Sequence, residues 1–416
     1  MKRVLFNSGP VVHFAGLNQS LEDSIYDGCK AIIIEDNVIE SIQDSQDVED
    51  EYSLQSIKQS DTHLRVHDLK GSAVIPGLVD AHTHLLWAGD RSKEVAWKRE
   101  GKSYAEIASM GGGIRHTVQA TRTASDDHLT ELGYQRLREA LATGTTHLEA
   151  KSGYGLRTED ELRLLEIGSK LGSIKHVPSV DLTWMGAHAA PPGGSIEAYV
   201  DELLTQQLPA VVDQGLARSA DVFCEPGWFS VEQSEELLRA SRHAGLALRM
   251  HVDEFNDGGG GALAAELAVD TADHAYHTPL DVRKRMEEAG VVTGFLPGTP
   301  YSMGDAWPSM DRIEEESITY SLATDFNPNC RTLSLPFMCS LMVQRCGVHP
   351  LNALRAVTVN AARTTPHPSG LVHGRIVEGG VANLNVVDGP HWEAFALRPT
   401  GTPFSATILN GQFIAH

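Results

Sequence analysis

The sequence has few cysteines and no long apolar run, and each shortage excludes a class of protein. The five cysteines, Cys29, Cys224, Cys330, Cys339 and Cys346, are an odd number without C-x-x-C spacing. Neither a disulfide framework nor a paired-cysteine zinc site is therefore expected, and the thiols are typical of a reduced intracellular protein. Nowhere do about 18 apolar residues follow one another, so we expect no transmembrane helix.

Basic residues are also scarce, because 34 Lys and Arg stand against 55 Asp and Glu, with a formal net charge of −21. A surface of this sign repels phosphate backbones and anionic membrane faces, so neither nucleic acid nor a membrane is an expected partner. A short apolar stretch follows Lys2 and Arg3, but Asn7 and Pro10 interrupt it before a secretory leader can form. We predict a cytoplasmic protein.

The length of 416 residues predicts one large domain and a smaller one, because a single core stops growing below this size. Strand-like runs occur at residues 4–7 and 31–35, and again at 383–387 and 406–409, where Asn410 and Gly411 mark a hairpin turn. We expect the two ends, residues 1–72 and 372–416, to form one small β-sandwich-like domain. The acidic tract at residues 44–51 is expected to be a solvated loop.

Between these ends, β-rich runs alternate with helical stretches, which is the pattern of βα units around a parallel sheet. The candidate strands are residues 73–84, 145–151, 180–188, 220–225, 247–254, 271–275, 291–297 and 318–325. Eight is the strand count of a (β/α)8 TIM-like barrel, so residues 73–371 are predicted to form this α/β fold. The carboxyl ends of the strands build the active site in such barrels, and several of these runs end in polar residues.

Histidines and one aspartate stand at the ends of four of these runs. His82 and His84 alternate along the first strand, so both imidazoles face the same side. His251, His274 and Asp325 end three later runs. Taken singly, His274 fits a core histidine and Asp325 a helix cap equally well, but together they indicate a metal site. A set of three histidines and one aspartate, taken from these five residues, suits a divalent ion of the zinc type with one position left for water.

The same strand ends also indicate how many ions the site holds. The fourth strand ends in Cys224 and Glu225, and not in a lysine that could be carboxylated to bridge two metals. One ion is therefore expected. Glu254, three residues beyond His251, is the natural general base toward water, with His274 as a proton donor or electrostatic partner.

The chain resembles the amidohydrolase superfamily, and within it the imidazolonepropionase family, from about residue 74 to residue 362. The motifs that carry the resemblance are PGLVDAHTH (76–84), AGDRS (88–92), GGGI (111–114), EAKSGYGL (149–156), GAHA (186–189), DVFCE (221–225) and ATDFNP (323–328). The first is shared by many amidohydrolases, whereas EAKSGYGL and AGDRS are far more specific.

The resemblance implies one divalent ion, zinc or iron, and hydrolysis of the ring C–N bond of 4-imidazolone-5-propanoate to N-formimidoyl-L-glutamate in histidine breakdown. It places the metal ligands on His82, His84, His251 and Asp325. It places the catalytic groups on Glu254, His274 and His188, and the substrate contacts on Arg91, Tyr154, His188, Glu254 and Asn327. The expected partner is a small anionic substrate, and a homodimer is left open.

Two of these expectations have a physical reason of their own. The planar fork of Arg91 suits the substrate's propionate, although alone it would more often form a surface salt bridge. His188 ends the third strand, where it is expected to polarise the ring carbonyl or to orient its neighbours. Asn329 and Cys330 stand where the family has a glycine and a small hydroxyl residue, so substrate contacts at these two positions stay open.

Two alternatives remain at this point. A cyclic-ureide hydrolase or a nucleobase-type deaminase on the same barrel would share the metal ligands but not Arg91 and Tyr154. A non-catalytic barrel, kept as a structural or interaction protein, would have lost its metal, and the intact ligand positions argue against it.

Overall fold

The computed structural model describes residues 1–16, 20, 22–52, 63–102, 104–191, 193–304 and 307–416. Its strands are β1 (Lys2–Ser8), β2 (Val11–Val12), β3 (Ile25–Tyr26), β4 (Lys30–Glu35), β5 (Val38–Asp44), β6 (Leu64–Asp68), β7 (Val74–Pro76), β8 (Leu78–Asp80), β9 (Thr145–Lys151), β10 (Ser179–Ala187), β11 (Ser219–Cys224), β12 (Ala247–Val252), β13 (Thr271–His274), β14 (Val292–Phe295), β15 (Tyr320–Leu322), β16 (Leu384–Val387), β17 (Phe404–Leu409) and β18 (Gln412–Ala415).

Its helices are α1 (Glu49–Tyr52), α2 (Lys93–Arg99), α3 (Tyr104–Ser109), α4 (Gly113–Thr123), α5 (Asp126–Ala142), α6 (Thr158–Gly172), α7 (Ile196–Glu202), α8 (Leu208–Gln214), α9 (Val231–His243), α10 (Gly260–Leu267), α11 (Leu280–Glu288), α12 (Gly298–Met303), α13 (Met310–Glu315), α14 (Leu335–Cys346), α15 (Pro350–Arg355) and α16 (Ala361–Thr364). Among the described residues, no helix is both long enough and apolar enough to cross a bilayer.

The central sheet consists of eight strands, β8 to β15, arranged in sequence order. All neighbouring strands in it pair parallel. The sheet closes between its first and last strands, where a bridge joins Thr83 to Phe326. Next to this bridge, the N–H groups of His84 and Asp325 donate to the carbonyls of Phe326 and His82. The predicted (β/α)8 barrel is therefore confirmed.

Helices cover the outside of the barrel because each buries one apolar stripe against the strands. Helix α9 begins with a capping box, in which Ser230 and Gln233 satisfy each other's backbone N–H groups. It buries Leu237 and Leu238, and it packs on β11 and β12. The strands carry apolar residues to this shell and polar residues to the barrel interior, which positions the site.

The two chain ends form a pair of sheets beside the barrel. One has the strand order β5-β4-β1-β6, and the other has the order β18-β17-β16-β7-β2-β3. Leu5, Ile32, Val74, Leu384 and Ile408 belong to one buried cluster between them. The predicted small β domain built from both ends is thus present, while its boundaries at residues 72 and 372 stay a prediction.

The predicted hairpin at the C-terminal end is confirmed in detail. Asn410 and Gly411 join β17 to β18, and Leu409 pairs with Gln412 across the turn. Both turn residues have positive φ, 48° and 74°, which is the conformation of the tight hairpin turns that asparagine and glycine favour.

Two expectations about local structure were wrong. The run at residues 73–84 is not one strand, because β7 pairs with β16 in the small domain whereas β8 begins the barrel. Gly77 makes the crossing, since its N–H donates to Asn383 O and a Cβ there would lie 2.5 Å from Thr146 Oγ1. The acidic tract at residues 44–51 is mostly exposed as expected, but it forms the end of β5, a 3-10 turn and part of α1 instead of a loop.

Candidate metal centre and substrate pocket

A cavity of about 380 Å³ opens at the carboxyl ends of the barrel strands, which is a volume suited to a small molecule. Of the predicted site residues, only His82 does not line it; those that do are His84, Arg91, Tyr154, His188, His251, Glu254, His274, Asp325, Asn327, Asn329 and Cys330. Its apolar wall contains Phe223, Trp228 and Phe255, which the sequence analysis did not select. The sequence gave no periodic signal for these aromatics, because they come from separate loops and strands.

The four predicted metal ligands lie together at the base of the cavity, where His84, His251 and Asp325 line it and His82 does not. The Nε2 atoms of His82 and His84 lie 3.6 and 3.7 Å from Asp325 Oδ1. The ring of His251 lies 4.5 Å from that of His82 and 5.6 Å from that of His84, centre to centre. One ligand atom each from His82, His84 and Asp325 lies within 4.8 Å of the others, as do atoms of His82, His251 and His274.

The hydrogen bonds of these histidines fit a bound cation. His82 Nδ1 lies 2.6 Å from Asp273 Oδ2, and His251 Nδ1 lies 3.0 Å from Asp221 Oδ1. Each carboxylate keeps a proton on Nδ1 and so turns the lone pair of Nε2 toward the centre of the site. Both Nε2 atoms are buried without a hydrogen-bond partner, which a metal ion would provide. The donor set therefore fits one divalent ion.

The remaining ligands are held in the form that binds a metal. Burial, followed by the charge of His188, lowers the pKa of His84 well below its usual value, so the ring is neutral near pH 7. Thr299 donates a hydrogen bond of 2.9 Å to Asp325 Oδ2 and leaves Oδ1 toward the two histidines. Asp221, Asp273 and Thr299 were not identified from the sequence. Each hydrogen-bonds to a metal ligand on another segment of the chain, and only the folded barrel brings the two segments together.

A buried lysine extends this support away from the metal ligands. Lys151 Nζ donates to Asp221 Oδ2 at 2.6 Å and to Glu149 Oε1 at 2.9 Å, and all three side chains are fully buried. Glu149 Oε2 in turn accepts the N–H of Thr83, between the two histidines of the first strand. The sequence offered a usable signal, because Glu149 and Lys151 alternate along β9 and so share the barrel interior.

We expect Lys151→Met to lower the free energy of unfolding by about 3–5 kcal/mol, because it leaves buried carboxylates without a counter-charge. The matched control is Lys170→Met, whose exposed pair with Glu166 is worth about 0–1 kcal/mol. Guanidinium chloride unfolding of both variants, followed by circular dichroism with chelator present, gives the measurement. Equal midpoints for the two variants would contradict the assigned role of Lys151.

Arg91 lies in the wall of the cavity and is held by Glu94. Its Nε and Nη2 donate to Glu94 Oε1 and Oε2 at 2.7 and 2.8 Å, and both side chains are buried. Glu94 Oε1 also accepts the N–H of Gly113 at 2.8 Å. The salt bridge that the sequence offered as the alternative to propionate binding is present, but it is buried and fixes the plane of the guanidinium. Glu94 was missed, although it stands only three residues after Arg91, in the first turn of α2.

His188 stacks on His84 with ring centres 5.0 Å apart, and the Tyr154 ring lies 5.1 Å from it. His188 Nδ1 lies 2.9 Å from Gly153 O, and because a carbonyl only accepts, Nδ1 carries the proton. Burial, followed by the charge of His251, lowers the pKa of His188 to about 4. The neutral ring therefore offers Nε2 as an acceptor. The two roles expected for His188, polarising the ring carbonyl and orienting its neighbours, stay predictions, and the first would need a donor at Nε2.

Glu254 and His274 are neighbours in the lining of the cavity, with Glu254 Oε2 3.6 Å from His274 Nε2. The loop that carries Glu254 follows β12 and is held by Glu225. The Glu225 carboxylate accepts the N–H groups of Glu254, Phe255 and Asn256 at 3.0, 3.2 and 3.0 Å. Glu225 comes directly after β11, which ends one residue earlier than expected, and its role is to position this loop, which the sequence alone did not indicate.

Asn327, Asn329 and Cys330 form a turn at the rim of the cavity. Asn327 Oδ1 accepts the N–H groups of Asn329 and Cys330 at 2.7 and 3.3 Å. Asn329 Oδ1 accepts a hydrogen bond of 3.4 Å from Lys98. Burial raises the pKa of the Cys330 thiol to about 12, so it is no nucleophile near pH 7. The Asn327 side chain builds this turn, and a substrate contact at these three residues stays a prediction.

Curated relatives are similar to this chain over most of its length. The imidazolonepropionase of Symbiobacterium thermophilum is 42% identical over 334 residues, which are 79% of this chain and 78% of that protein. The chain belongs to the imidazolonepropionase family. The imidazolonepropionase of Syntrophobacter fumaroxidans is 40% identical over 94% of this chain and 92% of its own, and that of Haloarcula marismortui is 39% identical over 88% and 84%. No protein-family model matches the chain.

Solved structures show the same fold at low identity. A 5-methylcytosine deaminase from Klebsiella pneumoniae superposes with a TM-score of 0.72 at 14% identity, covering 100% of this chain and 97% of its own. An atrazine chlorohydrolase from Arthrobacter aurescens in complex with zinc has a TM-score of 0.67 at 16% identity, covering 100% and 95%. These barrels, the family and the donor set together make this member a hydrolase of carbon–nitrogen bonds in histidine degradation that uses a divalent metal ion.

Proposed function

We propose that this chain hydrolyses the ring C–N bond of 4-imidazolone-5-propanoate and releases N-formimidoyl-L-glutamate, with one zinc or iron ion held by His82, His84, His251 and Asp325. The observation that carries the proposal is the combination of this buried donor set with a fixed arginine, Arg91, in the wall of the same cavity. A small anionic cyclic amide needs both a Lewis acid at its carbonyl and a cation at its carboxylate.

When bound, the ion would supply a Lewis acid that lowers the pKa of a water molecule to about 7 and polarises the substrate carbonyl. Glu254 takes a proton from the attacking water as its oxygen bonds to the carbonyl carbon. The same carboxyl then returns that proton to the ring nitrogen as the C–N bond breaks. His274 lies 3.6 Å from Glu254 and steadies the carboxylate during both transfers. Water thus adds across one bond, and no other reactant is needed.

Two residues orient the substrate ring. Glu94 fixes the plane of the Arg91 guanidinium in the cavity wall, and this guanidinium binds the propionate. His188, with Nδ1 directed to Gly153 O, accepts a hydrogen bond from a substrate ring N–H through Nε2. Tyr154 packs beside His188 and closes that side of the cavity. A substrate without a ring N–H at this position would lose the His188 contact.

The test is a ring-opening assay with purified, metal-analysed protein. Mass spectrometry should show that the substrate gains the mass of one water. The product should have an opened ring, with an N–H group and a second carboxylate at the two ends of the cleaved bond. Release of ammonia without ring opening would instead identify a deaminase, and absence of turnover in metal-loaded protein would reject the proposal. Homodimer formation and a cytoplasmic location stay predictions that size-exclusion chromatography and cell fractionation can check.

We expect Arg91→Lys to raise KM clearly and Arg91→Ala to raise it further, because lysine keeps the charge but loses the two-pronged geometry. If Arg91 binds ground and transition states equally, kcat changes little. The matched control is Arg285→Lys on the exposed side of α11. Kinetics on 4-imidazolone-5-propanoate are compared with those on an analogue that lacks the carboxylate. Equal losses of kcat/KM on both compounds would show that Arg91 does not recognise the carboxylate.

A further inference from the structure

A second cavity, of about 320 Å³, lies at the end of the barrel that is away from the active site. Most of its lining comes from the segment between α16 and β16, where the ring centre of His367 lies 5.4 Å from that of His147 on β9. Lys151, which supports the active site, is four residues further along β9, or about 13 Å at 3.3 Å per residue. The volume suits a small molecule, and the proposed reaction uses none of the residues that line this cavity.

Two arginines line this cavity, Arg363 and Arg375, and no carboxylate pairs with them. Among the described residues, neither guanidinium makes an ion pair or a hydrogen bond, and those that line the cavity include no acidic residue. Burial, followed by the charges of Arg363 and Arg355, lowers the pKa of Arg375. Acidic partners are not scarce, because the chain has 55 Asp and Glu against 34 Lys and Arg. The cavity is therefore a positive site in an acidic protein.

One histidine adds a hydrogen-bond donor to the two cations. The N–H of Ser369 donates to His367 Nδ1 at 3.3 Å, and because an N–H only donates, the proton of the neutral ring is on Nε2. Burial lowers the pKa of His367 to about 4, so the ring is neutral near pH 7. Nε2 is buried and makes no hydrogen bond within the described part of the chain. An oxyanion is the kind of acceptor that this donor lacks.

The other two histidines at this end of the barrel have acceptors of their own. The carbonyl of Pro366 is the acceptor beside His147, and the carbonyls of Ala362 and Thr365 are the acceptors beside His373. Burial lowers the pKa of His373 to about 4, so this ring is neutral as well. The positive charge of the cavity therefore comes from its arginines and not from its histidines.

The backbone that carries the two arginines is packed firmly against the barrel. Arg218 Nη2 donates to Thr364 O at 2.8 Å, directly after Arg363. Gly374, directly before Arg375, has a positive φ of 67°, and a Cβ there would lie 2.7 Å from Thr358 O. Both arginines are thus held beside fixed points of the backbone, so the cavity is formed before a ligand binds.

The rest of the lining is mostly apolar. Val359, Leu371 and Val372 all line the cavity, and Val372 is 51% exposed. Val359 belongs to a π-helical turn at residues 356–360, a distortion of the helix that is frequent at functional sites. Apolar side chains beside two cations suit a ligand that has a hydrocarbon part as well as an anionic group.

We propose that this cavity binds a small organic anion, whose carboxylate or phosphate group is held by Arg363 and Arg375. The hydrocarbon part of the ligand lies against Val359, Leu371 and Val372. Guanidinium suits both kinds of oxyanion, because its planar fork presents parallel N–H donors. The proposed substrate of the active site is also an anion, so the experiment has to separate the two sites.

The experiment is isothermal titration calorimetry of metal-loaded protein with phenyl phosphate, 3-phenylpropionate and inorganic phosphate, in the wild type and in Arg91→Ala. The Arg91→Ala variant lacks the cation of the active site, so binding that survives in it lies elsewhere. We expect one phenyl compound to bind per chain in both proteins, and the tighter of the two identifies the oxyanion. Inorganic phosphate should bind more weakly because it buries no apolar surface. Sodium chloride at equal ionic strength controls for screening.

Variants of the cavity then locate the ligand. In the Arg91→Ala protein, adding Arg363→Met or Arg375→Met should weaken binding about tenfold or more, because each removes charged hydrogen bonds. Val372→Ser should weaken the phenyl compound and leave inorganic phosphate unchanged. Arg312→Met is the matched control, because Arg312 is exposed on α13 and does not line the cavity.

Three results would overturn the proposal. The first is that none of the three probes binds to the wild type. The second is that the affinity is unchanged in both Arg363→Met and Arg375→Met; Arg363 is exposed, so its variant serves even if the other does not fold. The third is that all binding is lost in Arg91→Ala, which would place the probes in the active site. Since no turnover is measured, these results do not depend on the proposed reaction.

Discussion

His251→Ala should purify without its active-site metal ion and without measurable turnover. His251 is the only described metal ligand on β12. Its Nδ1 is held by Asp221, which in turn pairs with Lys151, so His251 links the metal site to this buried ion pair. Its removal leaves His82, His84 and Asp325 around a gap, and it leaves the Asp221 carboxylate without its histidine. Fewer ligands and a displaced carboxylate both weaken the binding of a divalent ion.

The measurement is metal content by plasma mass spectrometry beside the ring-opening rate. His243→Ala, at the exposed end of α9, is the matched control and should keep both metal and activity. Circular dichroism of the His251→Ala protein separates metal loss from unfolding. Stoichiometric metal at the barrel's carboxyl end in a folded His251→Ala protein would reject the assigned ligand set.

Glu254→Gln should keep its metal ion and lose about 10²–10⁴-fold in kcat, the usual contribution of a general acid–base group. Glu254 lies beyond the end of β12, and its backbone N–H donates to the Glu225 carboxylate. The substitution leaves this bond in place, so the glutamine side-chain amide can take the position of the carboxylate. Glutamine, however, cannot accept and return the proton. The separation of metal binding from turnover is what distinguishes this residue from the ligands.

The control for this variant is Glu288→Gln, on the exposed end of α11. Metal content and kcat are measured on the same preparations. A Glu254→Gln protein that has lost its metal would make Glu254 a ligand, and one with the kcat of the wild type would remove it from proton transfer. The first outcome would correct the ligand set, and the second would correct the assigned proton-transfer role.

The alternation of residues along strands, read from the sequence, determined much of the site. The period of two put His82 and His84 on one face, and the barrel rule put His251, His274 and Asp325 at the same end, where the structure also has them. Motif strings then selected the family. These features are local, or they follow from a barrel whose strands are arranged in sequence order, so no three-dimensional information was needed to find them.

The supporting residues were decided by the tertiary structure alone. Asp273 reaches His82 across 191 positions of sequence, and Asp221 is shared between His251 and Lys151, so their roles depend on which strands become neighbours. The tautomer of His188 likewise depends on the carbonyl of Gly153, which a turn brings to it. The strand pattern specifies which face of the sheet a side chain takes. Its hydrogen-bond partner is fixed only when distant segments pack together, because a hydrogen bond forms only within a narrow range of distance and angle.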